Sequence, residues 1–184
     1  MSLLWRLIFT SRCTSTHHKL PMDSLRFLRG PMADVWCNLF LANHEQYLIG
    51  SKAPDDTFKD FKNHVLHVEQ GFWGGATLTA RAWYQKTVTA LSQGSWPDAI
   101  YNAGVLSHYF TDPFQPFHTD QCEAEGKVHR AAEWSIAKSY DELQAILEHD
   151  LGGYPQYELP DRPDWLEEAI RAGATEAHAS YHVC

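Results

Sequence analysis

The stretch GVLSHYFTDPFQPFHTD, residues 104–120, places His108, Asp112 and His118 where a plain core segment would carry Leu or Val. On a helix, His108 and Asp112 stand one turn apart and share a stripe with Tyr101 and Val105. Pro113 disfavours helical geometry for the residue before it, which predicts a helix end at Asp112. The bend DPFQP then returns His118 towards the same space, and its two prolines limit the freedom lost in holding a ligand.

A second segment repeats the pattern. His129, Glu133, Ile136, Tyr140, Leu143 and Leu147 step by four and three, which is one helix face. An apolar stripe thus continues into an imidazole and a carboxylate. A carboxylate buried without a partner costs several kcal/mol or loses its charge. Nitrogen and oxygen donors without thiolate suit zinc better than iron or manganese. Five such donors exceed one tetrahedral ion, and Asp112 is placed to bridge two. Two further regions offer donors: STHHKL supplies His17 and His18, and KAPDDTFKDFKNHVLHVE supplies Asp55, Asp56, His64 and His67. His44, His149, His178 and His182 sit among charged or small neighbours and read as surface residues.

SHYFTDPFQPFH followed by HRAAE resembles the zinc-dependent phospholipase C family of bacteria and the related single-strand-specific zinc nucleases. Both carry His-x3-Asp-x5-His and then His-x3-acid, here His108, Asp112, His118, His129 and Glu133. Glu at the last position is similar to the phospholipases. The resemblance covers roughly residues 16–140 and implies an all-α fold holding two or three zinc ions. It implies His17 as an early ligand, and Asp55 as both a ligand and the base for water. It also implies a loop histidine, for which the spacing from Asp55 favours His67 with His64 as the alternative. An N-terminal Trp holds a third zinc in the family; Trp5 precedes His17 here, but no cleavage site stands before it to free its amine. Family members continue with further helices, so the resemblance also implies a shortened C-terminal part. The implied activity is hydrolysis of a phosphate ester, with a small phosphate-ester or phospholipid head-group substrate. Phe72, Trp73 and Phe114 are candidate cleft walls.

The elements that must position these residues are helical. Periodicity predicts helices over about 20–28, 32–49 (capped by Gly50), 76–92, 95–112 and 123–149, with a weaker one over 163–177. Residues 51–75 read as a long loop with a short helix, a length that is usually functional. Residues 1–15 read as a separate N-terminal segment before one all-α domain over 16–184. With 184 residues and 44% hydrophobic content, the chain is long enough for a real core.

A net charge of −8 argues against a nucleic-acid grip, which needs clustered Lys and Arg. No window approaches the roughly 20 apolar residues of a membrane span. Cys13, Cys37, Cys122 and Cys184 are scattered and read as reduced thiols, and the unprocessed look of the N-terminus points to the cytoplasm. Two rival readings are a non-catalytic helical domain with a structural or degenerate metal site, and a di-iron four-helix protein. The second wants paired Glu-x-x-His motifs, which the chain lacks.

Overall fold

The computed structural model describes residues 2–154 and 161–182. Among them the fold is all-α, with no named strand and one isolated bridge between His67 and Trp73. The helices are α1 (Leu3–Arg12), α2 (Thr16–Ser24), α3 (Ala33–Ala42), α4 (His44–Ala53), α5 (Ala76–Ser92), α6 (Trp96–Thr111), α7 (Glu125–Lys138), α8 (Tyr140–His149) and α9 (Trp165–His178).

Helix α6 is central. Ser95 stands at the N-cap position and donates its hydroxyl to Asp98, and Pro97 sits in the first turn, where a missing N–H costs nothing. Pro113 ends it, and two 3₁₀ turns follow at Asp112–Phe114 and Pro116–His118. Its Ile100 joins a core with Trp5, Ile8, Met22, Leu41, Tyr47 and Leu48. Its Val105 and Tyr109 join a second with Ala80, Leu66, Leu166, Ile170 and Ala174.

Several boundaries differ from the sequence expectation. Within the N-terminal segment Leu3–Arg12 form α1, which buries Trp5 and Ile8 in a core shared with Met22 of α2. The expected helix over 20–28 starts earlier, at Thr16, and so takes in His17. The expected helix over 32–49 breaks at Asn43, and its second half runs through Gly50 to Ala53. Gly50 is no cap: it faces α6, where a Cβ would overlap the Tyr101 carbonyl. The expected helix over 123–149 breaks at Ser139. Its stripe is core only in part, since Tyr140 is buried while Ile136 and Leu143 are exposed.

The four-thiol expectation also fails. Cys13 and Cys37 are free, whereas Cys122 is disulfide-bonded; Cys184 lies outside the described residues. No helix among the described residues is long and apolar enough to cross a membrane.

Candidate metal centre

Four elements converge on Asp112. It sits at the C-terminal end of α6, buried at 3% exposure. His108 stands one turn before it, and His118 follows on the second 3₁₀ turn. His17 comes from the first turn of α2, and His64 from the end of the 3₁₀ turn Phe61–Asn63. Asp55 lies in the wide helical turn Pro54–Phe58 that extends α4.

One carboxylate therefore meets four imidazoles. Asp112 Oδ2 is 3.1 Å from His108 Nε2, 3.2 Å from His64 Nδ1 and 3.9 Å from His118 Nδ1. Its Oδ1 is 3.6 Å from His17 Nε2. Asp55 Oδ1 completes this side, 3.5 Å from His64 Nδ1 and 3.6 Å from His108 Nε2. A second centre lies beside it: His129 Nε2 is 3.2 Å from both His118 Nε2 and Glu133 Oε1. His118 thus presents one ring nitrogen to each centre.

The tautomers follow from outer contacts. His108 Nδ1 lies 2.8 Å from the Ser51 carbonyl, which can only accept, so that nitrogen carries the hydrogen. In the neutral ring Nε2 is then a bare lone pair aimed at Asp112 and His64. His129 has a carboxylate on each side, with Nδ1 3.1 Å from Glu125 Oε1 and Nε2 3.2 Å from Glu133 Oε1; with the hydrogen on Nδ1, Nε2 presents its lone pair to His118 and Glu133. Lone pairs facing lone pairs at 3.1–3.6 Å repel unless a proton or a cation sits among them. Donors about 2.0–2.1 Å from a tetrahedral zinc lie roughly 3.3 Å apart, which matches these spacings.

Without a cation the charges are balanced by protons. Burial alone would raise the Asp112 carboxyl, but His118, His108 and His17 outweigh it and hold the group well below the usual carboxylate range. Burial opposes charge on His108 too, yet Asp112 and Asp55 raise its pKa above the ordinary value. His17 stacks on His108 with ring centroids 3.9 Å apart. Burial, then the charge on His108, prevails over Asp112's attraction and pushes His17 down to about 4.

Protons do not satisfy the cluster. Asp112 Oδ2, His118 Nδ1, His17 Nδ1 and His64 Nε2 are buried without a hydrogen-bond partner. Orphaned buried polar atoms are uncommon in folded proteins, and here two of them face each other. Three groups of side chains could hold a metal ion: His17, His108 and Asp112; Asp55, His64 and His108; His118, His129 and Glu133.

Members of all three groups line one open cavity of about 750 Å³, and the buried His108 is the one donor that does not reach it. Lys52, Lys62 and Arg130 bring positive charge to its wall, and Phe61, Trp73 and Phe117 supply apolar surface.

Eight of the nine sequence candidates fall into these groups. His67 does not. Two backbone hydrogen bonds, of 2.7 and 3.2 Å, tie it to Trp73, and its ring packs against that indole on the cavity wall. Of the two loop histidines, His64 joins a donor group and His67 does not. Trp5 is core: its indole donates to the Met22 carbonyl at 2.8 Å and its ring stacks on Phe9. Of the expected wall residues only Trp73 lines the cavity; Phe72 packs with the second core and Phe114 lies over Gly173 of α9. His18, Asp56, His44 and His149 stay outside the three groups. His178 and His182 stay outside them as well, although His178 lies 3.2 Å from Thr119 Oγ1 and so is more than a surface residue.

Sequence reasoning missed three supports. Glu125 shares the stripe of His129 and Glu133, at intervals of four, and that spacing could have revealed it. Ser51 acts through its carbonyl, which no residue type announces. Asp60 accepts from Tyr109 at 3.2 Å and from Asn63 at 2.8 and 2.9 Å, tying down the loop that carries His64. Compared with known protein families and with curated proteins, the chain matches none.

Proposed function

We propose that the protein is a zinc-dependent hydrolase of phosphate esters, similar to the zinc-dependent phospholipases C. One observation carries this reading: two of the three donor groups share His108, and all three have members on the wall of a single cavity that also bears cationic side chains. A purely structural site should be closed, whereas a catalytic one keeps an open position.

In this reading Asp55, His64, His108 and Asp112 hold one ion, His118, His129 and Glu133 a second, and His17 with Asp112 contributes to a third. Bound zinc would supply charge neutralisation at the phosphoryl oxygens and a water acidic enough to ionise near neutral pH. The chain's own residues do the rest. Asp55 turns Oδ1 to the histidines, while Oδ2 lies 3.2 Å from Lys52 Nζ, and its side chain is 31% exposed. It is the carboxylate placed to accept a proton from an attacking water, and Lys52 holds its orientation. Lys62 and Arg130 attract an anionic substrate to the mouth. Ser51 and Glu125 keep two imidazoles in the tautomer that binds metal.

The test is metal content of the purified protein, then turnover of a generic phosphodiester and a phosphomonoester with and without chelator. Two or more zinc ions and chelator-sensitive hydrolysis uphold the reading. Bound zinc with no turnover of any phosphate ester overturns it and leaves a structural site.

A further inference from the structure

The outer nitrogen of His129 opens a chain of contacts of which the hydrolase reading uses only the first, to Glu125. Its Nδ1 lies 3.1 Å from Glu125 Oε1, four residues earlier on α7. Glu125 is buried at 7% exposure, unusual for a carboxylate in the first turn of a helix. Its other oxygen, Oε2, accepts from the Tyr181 hydroxyl at 3.2 Å. Tyr181 lies beyond the end of α9, more than 50 residues away in sequence.

Tyr181 is itself held. Its ring stacks on His178 with centroids 6.0 Å apart and 12° between planes, and it meets Phe117 edge-on. Phe117 in turn packs beside His129 at 5.4 Å. Burial, then the charge on Glu125, pushes the Tyr181 phenol up to about 12, so it stays protonated and donates.

We propose that Glu125 and Tyr181 are positioning residues: together they fix the ring of His129 with its Nε2 lone pair towards His118 and Glu133. The proposal rests on the reading of His118, His129 and Glu133 as a zinc group. Tyr181 keeps Glu125 from turning to solvent, and Glu125 keeps the hydrogen of His129 on Nδ1. The C-terminal tail thereby completes a site whose ligands all lie on other elements. His118 has no matching support, since its Nδ1 is an orphan facing Asp112. The second group therefore depends on His129 for its preset geometry.

Two readouts on the full chain test this. The first is the imidazole tautomer of His129, from ¹⁵N shifts of the zinc-free protein at alkaline pH. Glu133 Oε1 lies 3.2 Å from Nε2, so the wild type should hold a larger share of the hydrogen on Nδ1 than Glu125→Leu, in which Glu133 is the carboxylate left to accept it, and Tyr181→Phe should fall between the two. The second is zinc affinity of the same variants by competition with a chromophoric chelator. Glu125→Leu should weaken one site by about 100-fold, and Glu125→Gln, which keeps an acceptor oxygen, by about 10-fold, the range typical of outer contacts to metal ligands. Unchanged melting points for Glu125→Gln and Tyr181→Phe would show that these two variants fold. A wild-type tautomer in Glu125→Leu, or wild-type affinity at every site, overturns the proposal. If the wild type binds no zinc yet the tautomer responds, the orientation stands and the zinc reading falls.

Discussion

Gly50 on α4 and Gly104 on α6 meet backbone to backbone: a Cβ on Gly104 would lie 3.1 Å from the Gly50 Cα and 2.9 Å from the Ser51 nitrogen. This close crossing brings the Ser51 carbonyl within 2.8 Å of His108 Nδ1. The helix pair thus positions a histidine of the donor cluster as well as packing the core. Gly104→Ala should cost about 1–3 kcal/mol by overpacking. At this chain length each kcal/mol moves the melting point by about 2–4 °C. A thermal melt at the wild-type temperature would show that the helices part without strain.

His64 and His67 make opposite predictions although they are three residues apart. His64→Ala should remove the ion shared by Asp55 and His108, lowering bound zinc by about one per chain. His67→Ala should leave the count intact. Elemental analysis of both variants decides it, and loss of zinc in His67→Ala alone would restore the assignment that spacing favours.

Trp5 should matter for stability and not for metal. Its buried ring stacks on Phe9 and its indole bonds to Met22. Trp5→Ala should cost about 3–5 kcal/mol, as large-to-small aromatic changes in cores do. Chemical denaturation measures the loss, and the zinc count of the folded fraction should not change.

The pH dependence of stability should reverse with metal. In the metal-free protein, His108 and His129 have raised pKa values, burial being outweighed by Asp112 for the first and Glu133 for the second. A raised pKa contributes stability that is full below the unfolded value near 6.5 and is lost as pH rises through the folded value. His17, held down to about 4, acts in the opposite sense, but only where the unfolded chain still binds protons, so it adds nothing well above pH 6.5. From about pH 7 to 9 the chelated protein should therefore lose stability. With zinc in excess it should gain, because protons no longer compete for the imidazoles. Parallel melts across that range test this, and identical trends with and without zinc would refute it.

Adding zinc to the chelated protein should itself raise the melting point. A ligand that binds only the native state at 100 times its dissociation constant contributes about 2.7 kcal/mol. Asp112→Asn should remove most of that gain, since the Asp112 carboxylate lies within 4 Å of His17, His64, His108 and His118. A full zinc-induced shift in Asp112→Asn would sink the shared-carboxylate arrangement.

The sequence by itself determined the helical class and most of the donor set. The helix over 76–92, the stop at Pro113 and the pairs His108–Asp112 and His129–Glu133 are local facts, set by periodicity, proline geometry and i, i+4 spacing. Tertiary structure decided what local rules cannot express. It extended α4 through Gly50, because a close helix crossing rewards the missing Cβ more than a cap would. It brought His64, and not His67, into a donor group, while His67 pairs through its backbone with Trp73. It also set Ser51 and Glu125 behind two histidines, contacts made by a carbonyl and by a buried carboxylate whose role depends on distant chain. Spacing along a chain lists which donors share a face; only packing between faces decides which atoms meet.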